Sequence, residues 1–102
     1  MKVSIIIPAL NEEKNIALLL ESIKARKFDG YEVILADAHS TDRTREVAEE
    51  YGCRVVDGGR PAVGRNAGAA VADGEYLFFL DADVIVPPGF ISNVYNEMSR
   101  LS

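Results

Sequence analysis

Basic charge is scarce in this chain: eleven Lys and Arg face sixteen Asp and Glu, a formal charge of −5 over 102 residues. No stripe gathers the cations, so nothing offers a footprint for a phosphate backbone and no nucleic acid is expected as a partner. Cysteine is limited to Cys53, which excludes an internal disulfide; within "GCRVVD" it reads as a small buried residue opening a strand. Histidine is limited to His39. One imidazole, with no identified serine or cysteine nucleophile and no metal-ligand spacing, is a weak catalytic signal, and His39 reads as a loop residue. Long apolar runs are missing too. The first, in "MKVSIIIPALNEE", is cut by Pro8 and Asn11 before it reaches the length of a signal-peptide core. No stretch approaches the roughly 20 apolar residues of a membrane-spanning helix. The expectation is a soluble, cytoplasmic protein with no transmembrane segment.

What is present is an ordinary globular composition, 48% hydrophobic and 26% charged, on a length that suits one core and one domain, residues 1–102. "KVSIIIPA" reads as a strand stopped by proline near Ile7. In "LNEEKNIALLLESIKARKF", Ile16, Leu19, Leu20 and Ile23 fall at helical spacing, with Asn11 as cap and Glu12 and Glu13 at the positive end of the dipole. The unit repeats. "YEVILAD" is a strand, and "STDRTREVAEEYG" a helix capped by Ser40 or Thr41 and closed by Gly52. "CRVVD" is a third strand, "GGRP" a turn, and "AVGRNAGAAVAD" a helix whose small residues allow close packing on a sheet. "EYLFFLDAD" is a fourth strand without polar alternation, as expected where both faces are buried. A Pro-Pro-Gly turn then leads to a last helix carrying Phe90, Ile91, Val94 and Met98. Alternating strands and helices predict an α/β fold: a Rossmann-like, three-layer α/β/α arrangement around a mainly parallel sheet.

In such sheets ligands bind beyond the carboxyl ends of the strands. There the sequence places Pro8–Glu12, then Asp37–Ser40, then Asp81–Asp83. Glu12, Asp37, Asp81 and Asp83 would crowd negative charge into one cleft, and a divalent cation would relieve it. Asp81 and Asp83, one residue apart on a strand end, suit Mg²⁺ or Mn²⁺ with coordination sites left open for phosphates and water. Asp42 reads as a helix-entry residue. Asp37 is either a turn residue or an acceptor for a ligand N–H. Arg65 and Asn66, after Gly64, either face a diphosphate near the start of the third helix or are simply solvated.

Three segments, "VSIIIPALNEEKNIALLLESI", "EVILADAHSTDRT" and "GRNAGAAVADGEYLFFLDADVIVPP", resemble in order and spacing the nucleotide-sugar-binding half of family 2 inverting glycosyltransferases of the GT-A fold, dolichyl-phosphate-mannose synthases among them. The resemblance covers nearly the whole chain. It implies that Pro8, Ala9, Leu10 and Glu12 flank the nucleoside and that Asp37 hydrogen-bonds the base. It also implies that Gly64, Arg65 and Asn66 line the donor pocket, and that Asp81-Ala82-Asp83 is the D-x-D motif holding the metal on the diphosphate of a UDP- or GDP-sugar. Many relatives carry a second aspartate and a glycine where this chain has Ala38 and His39. The family's acceptor-binding half and its catalytic base are expected beyond these residues, so no catalytic residue is assigned here.

Other readings compete. The chain could be a non-catalytic nucleotide-binding module, or a homo-oligomer that covers an unfinished flank, or could borrow its acceptor half from a partner chain. "FFLDADVIV" resembles the nucleophile motif of haloacid-dehalogenase-type phosphatases, but that motif opens the first strand of its domain, not the fourth. A nucleotidyltransferase would want a glycine-rich loop where this chain has "PALNEE".

Overall fold

The β-branched run near the start of the chain forms the centre of the sheet. In the computed structural model, which describes residues 2–24 and 29–101, it is strand β1 (Val3–Ala9). Strand β2 (Tyr31–Asp37) pairs with it in parallel along its whole length, from Val3 opposite Tyr31 to Ala9 opposite Asp37. Strand β3 (Arg54–Asp57) lies outside β2, and strand β4 (Tyr76–Phe79) pairs in parallel with the first part of β1 on the other side. The order is β3-β2-β1-β4.

Alternation along β1 sends its side chains to two helical layers. Val3, Ile5 and Ile7 share a core with Ile16, Leu19, Leu20 and Ile23 of helix α1 (Glu13–Lys24) and Ala48 of helix α2 (Thr44–Glu50). The apolar spacing read from the sequence is thus the buried face of α1, and each fully buried Ile or Leu there contributes roughly 1.5–3 kcal/mol. The expected tail of that helix, residues 25–28, lies outside the described residues. Ile6 and Pro8 face the other way, against helix α3 (Pro61–Val71). A Cβ on Gly68 would lie 2.4 Å from Ile6 Cγ2, so the small-residue face of α3 is what lets it sit directly on the sheet. Helix α4 (Phe90–Leu101) returns to the α1 side through Ile91, while Phe90 and Met98 of its expected apolar face remain partly exposed. The three-layer α/β/α architecture is as the sequence predicts.

Three local expectations are corrected. Pro8 does not stop the first strand, which runs on to Ala9. Lys2 and Ile6 carbonyls accept from Tyr76 and Leu80 on the β4 side, so the same side of Pro8 lies past the last β4 partner and its missing N–H interrupts no ladder. Strand β4 is not buried on both faces. It is an edge strand: Phe78 joins the core, but Leu77 and Phe79 are 40% and 45% exposed. Helix α3 packs mainly on β1, β2 and β3, so that face of β4 is only partly covered. The most buried strand is β1. Lastly, α2 begins at Thr44 rather than directly after Ser40 or Thr41, for a reason found at the strand ends. Cys53 is half-buried just before β3, and burial pushes its thiol up to about 12.

Candidate functional site

Parallel strands bring the segments that follow them to one edge of the sheet. The loops after β1 and β2 are tied together. Asn11 adopts a left-handed φ of +52°; its N–H donates to Ser40 Oγ at 2.8 Å and its Oδ1 accepts from Thr41 N–H at 2.8 Å. Asn11 therefore does not cap its own helix. The first amides of that region are capped from across the edge instead: Glu12 N–H donates to Thr44 Oγ1 at 2.9 Å and Glu13 N–H to Asp42 Oδ2 at 3.2 Å. Asp42 also accepts from Thr44 N–H at 2.9 Å, and the Thr44 hydroxyl hydrogen bond, with these amides, holds its carboxyl below the usual range. Asp42, not Ser40 or Thr41, thus manages the entry to α2, as a helix-entry residue should. Glu12 is half-buried and accepts from Asn15 Nδ2 at 2.8 Å.

Asp37, at the end of β2, is fully buried. One oxygen accepts the Ser40 hydroxyl at 2.5 Å; the other accepts Ser40 N–H at 3.0 Å and Arg45 Nη1 at 3.4 Å. Arg45 Nη1 also reaches Asp57 Oδ1 at 3.0 Å. The chain turns back toward Asp37 through His39, an exposed loop residue at φ +62°. That left-handed conformation favours glycine, and His tolerates it better than most residues.

Beside these loops a cleft of about 440 Å³ is lined by Pro8, Ala9, Leu10, Ala38, Gly59, Arg60 and Pro61. Its walls are mostly apolar. Three of the expected nucleoside-flanking residues, Pro8, Ala9 and Leu10, are brought together here; Glu12 stands outside it. Ala38, Gly59, Arg60 and Pro61 were missed by sequence reasoning. The only signal was "GGRP", legible as a turn but not as a wall.

Gly64, Arg65 and Asn66 lie in the first two turns of α3, which begins at Pro61. Gly64 N–H donates to Arg60 O at 2.9 Å, so no free amide remains there for an anion. Gly64 is buried, and a Cβ on it would lie 3.2 Å from Pro8 Cβ: it is a packing glycine. Arg65 and Asn66 are exposed and do not line the cleft.

On the far side of β1, Leu80 N–H donates to Ile6 O at 3.0 Å and continues the line of β4 into a turn closed by Val84 N–H on Asp81 O at 3.3 Å. Ala82 is buried at 6% exposure and pins that turn. Asp81 and Asp83 on either side are exposed, and no ion pair among the described residues engages them. Two hard carboxylates without a cation fit a small divalent ion. No third Asp, Glu, His or Cys joins them among the described residues, so the rest of a coordination shell would come from ligand oxygens and water, the habit of Mg²⁺ and Mn²⁺.

Residues 4–102 match the family model described as "Glycosyl transferase family 2". The chain belongs to that family. It is 34% identical over 93 residues to the poly(ribitol-phosphate) beta-N-acetylglucosaminyltransferase TarS of Staphylococcus aureus, covering 81% of this chain and 16% of the relative. It is 32% identical to the poly(ribitol-phosphate) beta-glucosyltransferase of Bacillus spizizenii, over 94% of this chain and 17% of the relative. The crystal structure of S. aureus TarS residues 1–349 with UDP-GlcNAc superposes at a TM-score of 0.90 with 30% identity, over 98% of this chain and 32% of that one. The Mycobacterium tuberculosis glucosyl-3-phosphoglycerate synthase with Mn²⁺, UDP and glucosyl-3-phosphoglycerate gives 0.67 and 30% identity, over 90% of this chain and 37% of that one. The fold of this glycosyltransferase chain is therefore the GT-A fold, and the chain spans about a sixth of the curated relatives and a third of the solved ones. No helix among the described residues is long and apolar enough to cross a membrane.

Proposed function

We propose that this chain is the donor-binding part of a glycosyltransferase and holds a nucleoside diphosphate sugar across the carboxyl edge of its sheet. One observation carries the reading: a mostly apolar cleft at the ends of β1, β2 and β3 shares that edge with the Asp81/Asp83 turn after β4, whose carboxylates have no ion pair among the described residues. The nucleoside lies in the cleft against Pro8, Ala9 and Leu10, and the diphosphate runs toward β4. Asp81 and Asp83 hold Mg²⁺ or Mn²⁺. A divalent ion there would neutralise charge gathering on the departing diphosphate. Buried Ala82 and the Leu80 hydrogen bond to β1 keep the two carboxylates on a fixed turn rather than a loose loop. Support comes from the neighbours: TarS was solved with UDP-GlcNAc and the synthase with UDP and Mn²⁺. Inverting transfer also requires a base on the acceptor hydroxyl, and no residue of this chain is assigned that role.

Titration calorimetry with UDP, GDP and UDP-GlcNAc, with Mn²⁺ or EDTA, tests the reading. Binding should depend on Mn²⁺, and Asp83→Ala should weaken it at least about tenfold, the loss seen for even outer-shell partners of a metal. Metal-independent binding, or binding unchanged in Asp83→Ala, would remove Asp83 from the site.

A further inference from the structure

We propose that Ser22 is a positioning residue for the metal: its hydroxyl, buried in α1, holds the far end of the segment that carries Asp81 and Asp83. The inference rests on the donor-site reading above and names what keeps its two carboxylates in place.

A serine is out of character where it stands. Helix α1 buries Ile16, Leu19, Leu20 and Ile23, and Ser22 is buried among them at 9% exposure. A hydroxyl in such a place costs free energy unless it is hydrogen-bonded, and alanine would suit both the helix and the core better. Ser22 Oγ donates to Leu19 O at 2.7 Å, back along its own helix. That bond takes up the hydroxyl proton and leaves the oxygen an acceptor. Val86 N–H donates to it at 3.0 Å, from 64 residues further along the chain. Val86 is 2% exposed, and an amide so deeply placed needs an acceptor; Ser22 supplies one.

The bond to Val86 closes the segment in which the two acids lie. At the near end, Leu80 N–H donates to Ile6 O at 3.0 Å on the central strand. Between these ties the chain is neither helix nor strand, and Asp81, Asp83, Val84 and Ile85 are exposed. Ala82 and Val86 enter the core that α1 lines. Apolar contact sets how deep those two sit, whereas a hydrogen bond adds direction. No later amide can take over the far tie, because Pro87 and Pro88 follow and have no N–H. Without the Ser22 acceptor the turn is hinged at Leu80 and held beyond it by apolar contacts. Two carboxylates hold one small ion only while both are presented together, so metal affinity falls by the fraction of time the turn keeps that arrangement.

The test is titration with UDP, in saturating Mn²⁺ and again in EDTA, of the wild type, Ser22→Ala and Ile23→Val, at a temperature where all three are folded. The quantity read is the gain in UDP affinity that Mn²⁺ brings. Ser22→Ala should cut that gain about fivefold, as for a turn that keeps its metal-binding arrangement about a fifth of the time. Its affinity in EDTA should stay within about twofold of wild type, because the cleft is untouched. The loss should be smaller than that in Asp83→Ala, since both carboxylates remain. Ile23→Val thins the same core from the neighbouring position and leaves the hydroxyl in place, so it should lower stability and keep the wild-type gain. A wild-type gain in Ser22→Ala overturns the inference and leaves the donor site standing. An equal loss of gain in Ile23→Val also overturns it, by tracing the effect to general loosening. If Mn²⁺ brings the wild type no gain, the metal part of the donor site falls and this inference with it.

Discussion

Gly74→Ala should lose on the order of 3 kcal/mol of stability, with a melting temperature lower by about 15 °C, enough to leave a domain of this size largely unfolded in mild denaturant. The reason is what a single methyl would strike. A Cβ on Gly74 would lie 2.5 Å from Ser4 N and 2.7 Å from Val3 C, backbone atoms of the central strand, where both residues are fully buried. Neither can retreat, because β1 is paired on both sides. The same contact is a joint. Gly74 N–H donates to Ser4 Oγ at 2.8 Å, Ser4 Oγ donates to Glu32 Oε2 at 2.6 Å, and that oxygen also accepts Asp73 N–H at 2.7 Å. The methyl would push the turn between α3 and β4 off this buried hydroxyl as well as off the strand. Gly52→Ala is the control: at φ +81° it meets nothing within 4 Å, so it should cost only the conformational penalty of about 1–2 kcal/mol. Equal losses for the two in urea unfolding would refute the steric argument.

Gly74 also marks where sequence reasoning stops. "ADGEY" announces a turn, and nothing in it says that the turn lies against Ser4, seventy residues away. Features that depend on a residue's own neighbours in the chain are legible. Ile16, Leu19, Leu20 and Ile23 share a face by helical period alone, and all four are buried. The run from Tyr76 to Leu80 is apolar whatever covers it, and that ambiguity produced the wrong expectation of two-sided burial. Which strand is central follows from pairing, and α3 lies over β1, β2 and β3 while Leu77 and Phe79 stay partly exposed. The site divides in the same way. Asp81 and Asp83 stand out because two acids after an apolar strand have no local partner to explain them. Asn11 and Asp42 have local explanations as caps, and Asp42 keeps its local bond to Thr44, but both also bond residues some thirty positions distant, and only the fold reveals that exchange. Arg60 carries no signal beyond the turn it belongs to; only the fold places it on the wall of the cleft.

Asp37→Ala should cost about 2–4 kcal/mol, a large effect for a residue outside the apolar core, at the end of β2 next to the cleft-lining Ala38. Removing the carboxylate leaves Ser40 N–H and the Ser40 hydroxyl without their acceptor beside a fully buried position. The ion-pair share is smaller. Arg45 is 40% exposed and keeps Asp57, so solvent compensates most of its loss, and Asp57→Ala, at 72% exposure, should cost no more than about 0.5 kcal/mol. Asp37→Asn should fall between: one oxygen still accepts, but the new amide opposes one of the Ser40 donors. The loss should also be felt in binding. Ser40 Oγ receives Asn11 N–H, and Asn11 Oδ1 receives Thr41 N–H, so the carboxylate of Asp37 anchors the lock between the two loops that carry Leu10 and Ala38 to the cleft. Freeing it gives those walls more conformations than the one that fits a nucleoside, and affinity drops by the fraction of time the fitting one is populated. Urea unfolding of Asp37→Ala, Asp37→Asn and Asp57→Ala, alongside nucleotide titration at temperatures where each variant is folded, checks both halves. If Asp37→Ala matched Asp57→Ala in stability, the buried hydrogen bonds would be worth nothing. If folded Asp37→Ala bound as tightly as wild type, the loop lock would have no part in holding the nucleoside.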